Sequence, residues 1–343
     1  MSDQVTRCGV IGVGRMGRHH ARVYSQMPDV ELVGVVDLDT SRAREMTEEW
    51  GGQAFESIKD ILAAGVDAVT IATPTTHHRV AAEELLGAGV ACLIEKPLAP
   101  TAEDANAIAQ AASDAGVALQ VGHVVRYDPV MQAIKSLGEL RPRHLELHRI
   151  SPMTFRSVDV GVVLDMMIHD LDLLTMLVGT APEDIQANAV AVLGDAEDVC
   201  NVRMSYPADE SGYRCVANLT ASRLAMKTER TLRLITEDLY VSADFVDRSV
   251  KVIRKAANAD QISALRDRLA SGEDLSDVNY LELIQFEDLD IVDAEPLRLQ
   301  AEDFLRSVRT GARPPVDAEA GLLAVQVAER IVETARAGQL SLA

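Results

Sequence analysis

Three side chains in this sequence have the types and spacing to move a proton. Lys96 stands in Glu95-Lys96-Pro97, and Asp165 and His169 stand four residues apart in the run LDMMIHDLDLL. On a helix that spacing puts both on one face, with Asp172 further along the same side. A carboxylate beside an imidazole orients the ring and raises its basicity. An amine or imidazole so placed can take the proton of a hydroxyl while hydride leaves the carbon that bears it. Each group also has a plainer reading: acids at the start of a helix, a histidine with its hydrogen bonds satisfied, and a lysine in a strand-ending turn. Proline restricts the residue before it, so Lys96 is expected to be held extended. Position alone does not separate the two readings.

Loss of hydride needs an acceptor, and the first residues contain a place for one. Gly12-Val13-Gly14-Arg15-Met16-Gly17 follows an apolar run and opens a helical stretch, and Asp37 ends the next apolar run, twenty residues after Gly17. That spacing is the dinucleotide fingerprint. Gly12 permits the tight turn, Gly14 lets the backbone approach a pyrophosphate, and Gly17 permits close helix–sheet packing. The helix start supplies free N–H groups and partial positive charge. Asp37 would accept hydrogen bonds from ribose hydroxyls and repel a 2′-phosphate, which favours NAD, although Arg42 lies nearby. The competing reading is a glycine turn that binds no dinucleotide; strand, helix and acid all in place argue against it.

These groups need a scaffold that brings strand ends together. Apolar runs at 5–11, 31–37, 66–72, 90–95 and 118–122 alternate with helical stretches such as 78–88 and 102–115. Short buried runs separated by helices indicate a doubly wound parallel sheet, a Rossmann α/β domain over residues 1–122. Beyond Gly122 the pattern changes. Residues 199–206 alternate apolar and polar, and 215–221, 231–236 and 239–245 continue the pattern. Consecutive half-buried strands of this kind pair antiparallel. The stretch 260–277 is polar and reads as a surface insertion, and helices are expected near 297–309 and 317–337. Residues 123–343 therefore read as an α+β domain for substrate binding and oligomerisation, built on a large open, mostly antiparallel sheet. Its final helix is placed to pack back on the first domain.

Composition narrows the partners. The 343 residues are 48% hydrophobic and only 3% aromatic, so the cores must be aliphatic. A net charge of -20 repels phosphate backbones, so neither nucleic acid nor an anionic membrane is an expected partner. An anionic small molecule would need a local cluster of cations. Arg126, Arg149 and Arg156 are candidates for such a pocket, and each reads equally well as a solvated side chain. Cys8, Cys92, Cys200 and Cys215 all sit in strand-like runs and include no CxxC pair, which indicates reduced core thiols. His77 and His78 have no third ligand at metal spacing, so no metal is expected. No signal peptide or membrane-length apolar run is visible, and a cytoplasmic location is expected.

Together, Gly12 to Gly17, Asp37, Thr73-Pro74 with His78, Glu95-Lys96-Pro97, Gly122-His123, Arg126-Tyr127-Asp128-Pro129 and Asp165 with His169 resemble the Gfo/Idh/MocA oxidoreductases. The resemblance covers nearly the whole chain, including Glu295-Pro296, Phe304, Pro315 and Gly321 near its end. It implies a homodimer or homotetramer acting on sugars, inositols or nucleotide sugars with NAD. It implies that Gly12, Gly14, Arg15, Met16, Gly17, Asp37, Arg42, Thr73, Pro74, His78, Glu95 and Lys96 line the cofactor. Arg126, Tyr127, Arg149, Arg156, Asp165 and His169 would face the substrate, with Lys96 and His169 at the nicotinamide and Asp165 beside them. One segment departs from the common pattern. Where most members carry a glycine-rich run before the Asp-His pair, this chain has Asp159-Val160-Gly161-Val162-Val163-Leu164. With His148-Arg149-Ile150-Ser151-Pro152 and Arg156, it resembles the branch that oxidises the 3-hydroxyl of UDP-N-acetylglucosamine, whose 3-keto product would feed an aminotransferase. Three alternatives stand beside that reading: a dehydrogenase of a free sugar or inositol, an NAD-dependent glycosidase, and a non-catalytic NAD-binding protein.

Overall fold

In the computed structural model, residues 5–154, 160–257, 259–276 and 278–340 are described. Six short strands form the first sheet: β1 (Thr6–Ile11), β2 (Val30–Val36), β3 (Gln53–Phe55), β4 (Ala68–Ile71), β5 (Ala91–Glu95) and β6 (Leu119–Gly122). All pair parallel, in the order β3-β2-β1-β4-β5-β6. The crossovers are α1 (Gly17–Ser25), α2 (Thr40–Trp50), α3 (Ile58–Ala64), α4 (His78–Gly87) and α5 (Ala102–Ala115). Strand order reverses about β1, so a crevice opens beyond the C-terminal ends of β1 and β4, where ligands of such sheets bind. The expected doubly wound sheet is present, with one strand more than the apolar runs indicated: β3 has three residues and only Phe55 is buried.

The second sheet has eight strands. They are β7 (His144–Ile150), β8 (Asp184–Val190), β9 (Val199–Ala208), β10 (Arg214–Ser222), β11 (Glu229–Ile235), β12 (Leu239–Asp244), β13 (Ser249–Lys255) and β14 (Ile284–Asp288). The order is β14-β13-β12-β11-β7-β10-β9-β8, and every pairing is antiparallel except β7 with β10. Alternation decides which face is covered: Leu145, Leu147, Val202, Met204, Leu232 and Leu234 point inward and are buried. Against that face lie α6 (Pro129–Lys135) and α7 (Ile168–Val178). The polar insertion carries α8 (Ala259–Ala270).

Two helices close the chain, α9 (Pro296–Thr310) and α10 (Ala318–Leu340). Both return to the first sheet. Leu297, Ala301, Phe304 and Leu305 of α9 share a core with Val10, Val23 and Tyr24. Burying an aromatic such as Phe304 contributes roughly 1.5–3 kcal/mol, so these contacts hold the ends of the chain together. The Val121 N–H donates to the Val316 carbonyl at 2.8 Å, extending the edge of β6. Further along, α10 joins the core of the second sheet through Ala324, Val327, Ala328 and Ile331. All four cysteines are buried and free. No helix among the described residues is long and apolar enough to cross a membrane.

Candidate active site

The cradle begins where β1 ends. Gly12 has φ +81°, and a β-carbon there would lie 2.9 Å from the Ala72 carbonyl oxygen. At Gly17 a β-carbon would meet the Gly12 carbonyl at 1.8 Å, so only glycine lets α1 start this close to the strand. Around Gly14 the space is open, with no atom within 4 Å of a β-carbon position. Four other helices are capped by side chains: α2 by Asp39, α3 by Ser57, α5 by Thr101 and α6 by Asp128. In contrast α1 has neither a side-chain cap nor an acid in its first turn. Its N-terminal donors and partial positive charge face the crevice. Met16 precedes that helix and Arg15 is exposed beside it.

Asp37 closes the far side. Its carboxylate accepts from the Val13 N–H at 2.8 Å and the Asp39 N–H at 2.8 Å, which fixes it beside the glycine turn. Arg42 reaches the same carboxylate at 3.3 Å and also pairs with Asp39. An open glycine turn, an uncapped helix start and a fixed carboxylate fit a dinucleotide diphosphate and its adenosine ribose.

His78 ties the neighbouring loops together. Its Nε2 contacts the Thr73 carbonyl at 3.0 Å, while Nδ1 lies 3.1 Å from the Pro97 carbonyl and 3.2 Å from that of Leu98. The ring is buried and therefore holds the β4 and β5 loops in register instead of reaching into the crevice. Pro74 continues that loop in an extended conformation. The Thr73 hydroxyl is buried without a partner.

Past β5, the Lys96–Pro97 bond is cis. The Lys96 ammonium donates to the Asp165 main-chain carbonyl at 2.6 Å and lies 3.4 Å from its carboxylate. Burial pushes Lys96 below the usual lysine range, against the pull of the Asp165 and Glu95 carboxylates. Glu95 is buried and paired with His20 of α1 at 2.8 Å. Burial works to raise the Glu95 carboxyl, but the His20 hydrogen bond and the Lys96 charge outweigh it and hold the group below the ordinary range.

The Asp165 segment is not a regular α-helix. Residues Val163–Met167 form a wider π-helical turn before α7 begins, a feature common at functional sites. The expectation that Asp165 orients His169 by helical spacing is corrected: among the described residues no hydrogen bond joins them. The wider turn aims the Asp165 carbonyl at Lys96, while His169 sits one turn on with its Nδ1 buried and unpartnered. Burial first, then the charges of Lys96 and Arg149, hold His169 well below the ordinary histidine range. His123, at the end of β6, packs edge-on against it with ring centroids 6.4 Å apart. Both His123 nitrogens are buried without partners.

The expected cation pocket is also corrected. Arg126 is buried and bonded through two nitrogens to Asp172 at 2.7 and 2.6 Å, and to the Pro315 carbonyl at 3.0 Å. Arg149 is buried and forked onto Asp170, with contacts from 2.6 to 3.1 Å. Asp172 thus serves Arg126 and not Asp165 or His169. A buried arginine with a matched carboxylate is neutralised, and giving up its partner for a ligand would leave that carboxylate alone. Tyr127 is buried beneath Lys135, whose ammonium lies 5.7 Å from the ring centre. Arg156 lies outside the described residues.

Several contributors had no role in the sequence reading. His20 carried one signal, its position three residues after Gly17 on the inner face of α1. His123 was visible only as part of Gly122-His123. Glu197 gave no signal, yet its main chain accepts from the Val162 N–H at 3.0 Å and its carboxylate from the Val163 N–H at 3.2 Å, anchoring the π-helical turn.

A dinucleotide cradle whose crevice is completed by a lysine and a histidine defines an NAD-binding oxidoreductase. Residues 6–123 match the model of the oxidoreductase family with an NAD-binding Rossmann fold, and residues 133–239 match a GFO/IDH/MocA C-terminal domain. The UDP-N-acetylglucosamine 3-dehydrogenase of Acidithiobacillus ferrooxidans is 37% identical over 303 residues, covering 88% of each chain. A solved structure of that organism's UDP-N-acetylglucosamine 3-dehydrogenase GnnA superposes with a TM-score of 0.84 at 34% identity, covering 96% of this chain and 97% of that one. An inositol 2-dehydrogenase of Rhizobium meliloti is 32% identical over 208 residues, or 57% of this chain and 63% of its own. The chain belongs to the Gfo/Idh/MocA oxidoreductase family.

Proposed function

We propose that this chain oxidises the 3-hydroxyl of UDP-N-acetylglucosamine to the 3-keto sugar with NAD. The observation that carries this reading is likeness through both domains to a UDP-N-acetylglucosamine 3-dehydrogenase, where the inositol enzyme aligns over little more than half of the chain. NAD, when bound, supplies the hydride acceptor. Gly12, Gly14 and Gly17 with the start of α1 hold its diphosphate, and Asp37 holds its ribose. Lys96 and His169 share the proton chemistry. Burial enlarges the uncharged share of Lys96 and keeps His169 neutral, so each can accept the proton of the reacting hydroxyl. Asp165 anchors Lys96 through its carbonyl, and the Glu95–His20 pair steadies the strand end beneath it.

The division falls at residues 122 and 123, between the Rossmann domain and the substrate domain. The outer face of the second sheet, with its ladder of Arg233 on Glu146 at 3.0 Å and Arg203 on Asn218 at 3.1 Å, serves a homodimer or homotetramer in the cytoplasm. NADH formation at 340 nm with UDP-N-acetylglucosamine, set beside a panel of free sugars and inositols, tests the reaction. Turnover of free inositol with none of the nucleotide sugar overturns it. A sedimentation run showing monomer alone removes the oligomer.

A further inference from the structure

The covered face of the second sheet ends, near the crevice, in two opposed cations. Arg149 of β7 and Arg230 of β11 are cross-strand partners in an antiparallel pair. Both alternate in step with buried residues, Arg149 with Leu147 and Arg230 with Leu232, so both belong to the covered face. Like charges placed directly opposite each other on a sheet are destabilising. Asp170 bonds only one of them, since its carboxylate is taken by the fork of Arg149, and reaches Arg230 through its charge alone. Arg230 is exposed, and no hydrogen bond or ion pair joins its side chain to another described residue. The Asp170 and Asp128 carboxylates act on it only through space, and neither makes an ion pair with its guanidinium. Its place is close to the chemistry: after burial, Lys96, Arg149 and His123, the Arg230 charge also holds His169 below its ordinary range.

We propose that Arg230 is the anchor for the diphosphate of the nucleotide sugar. This rests on the reading of the substrate given above and places the phosphate contact on a residue other than Arg126, Arg149 and Arg156. A planar guanidinium with five donors matches phosphate oxygens two at a time. With the Asp170 carboxylate committed to Arg149 and Asp128 acting only through space, the Arg230 donors remain free to meet the anion. A free sugar carries nothing that would use it.

The test is calorimetric titration of the NADH-loaded enzyme with UDP, comparing wild type, Arg230→Gln and Arg230→Lys. Loss of one charge-assisted contact predicts UDP binding weaker by roughly ten- to a hundredfold in Arg230→Gln. Arg230→Lys should recover part of the loss. NADH affinity should hold in both, and the melting temperature should hold in Arg230→Lys and hold or rise slightly in Arg230→Gln, which relieves the repulsion with Arg149. With UDP-N-acetylglucosamine the KM should rise by the same factor while kcat is kept. Equal UDP affinity in wild type and Arg230→Gln, or no UDP binding by wild type, overturns the anchor. If UDP binding depends on Arg230 and wild type forms no NADH from UDP-N-acetylglucosamine, the anchor stands and the proposed reaction falls.

Discussion

Removing Asp172 separates a structural role for Arg126 from a ligand-binding one. The Arg126 guanidinium makes two short bonds to that carboxylate, and the two side chains are only 9% and 1% exposed. In Asp172→Ala the guanidinium keeps the Pro315 carbonyl and loses its counter-charge. Breaking a buried pair from one side costs about 3–5 kcal/mol. For a domain of this size, that lowers Tm by roughly 6–20 °C. The companion variant, Arg126→Met with Asp172→Leu, replaces both partners by apolar groups of similar bulk. Such replacements are often neutral, so most of the loss should return. Urea titration followed by far-UV dichroism measures both variants. The double variant should also keep its KM for the nucleotide sugar within about threefold, the energy of a weak contact at most. A single variant within about 1 kcal/mol of wild type would sink the argument. So would a double variant that is stable but has a KM raised tenfold or more.

Other outcomes follow from the same geometry. Lys96→Ala should lower kcat by roughly a hundred- to ten-thousandfold while NADH binding, followed by fluorescence quenching, is retained; near-normal turnover would remove Lys96 from the chemistry. The group that takes the proton must be uncharged, so oxidation should rise with pH, with its midpoint below the ordinary lysine range because burial lowers Lys96. Asp165 opposes that lowering, so Asp165→Asn should move the midpoint to still lower pH if Lys96 is the base, and a limb that stays put identifies His169. Asp37→Ser frees Arg42, which lies 3.3 Å from the Asp37 carboxylate, and should shift the NAD-to-NADP ratio of kcat/KM by about tenfold or more toward NADP. At Gly161 a β-carbon would lie 1.9 Å from the Glu197 carboxylate that receives the Val163 N–H. Gly161→Ala should therefore lower kcat by disturbing the π-helical turn, and Glu197→Ala in the same chain should restore part of it by clearing the space.

Local sequence carried much of this protein. The glycine turn and Asp37 were legible because their requirements lie within about thirty residues of chain: a positive φ, a close helix start and an acid on the next strand. Strand-length apolar runs gave the parallel sheet for the same reason, and β3 escaped because three residues are too few to show a period. The charged pairs were not legible. Arg126 finds Asp172 across 46 residues, and His20 finds Glu95 across 75. Nothing in the local pattern distinguishes such an arginine or histidine from one that meets solvent or a ligand.

By itself, then, the order of residues determined most of the first sheet, four of the eight strands of the second, the dinucleotide cradle and the kinds of groups able to move a proton, since each depends on neighbours along the chain. Tertiary structure decided which charges are spent and which are left over. Arg126 and Arg149 are neutralised by Asp172 and Asp170, Lys96 is seated on a carbonyl presented by a π-helical turn, and the Arg230 guanidinium is left without a direct ion pair among the described residues. Those outcomes depend on where distant segments meet and on how much water remains between them, and neither is written in the spacing of residues.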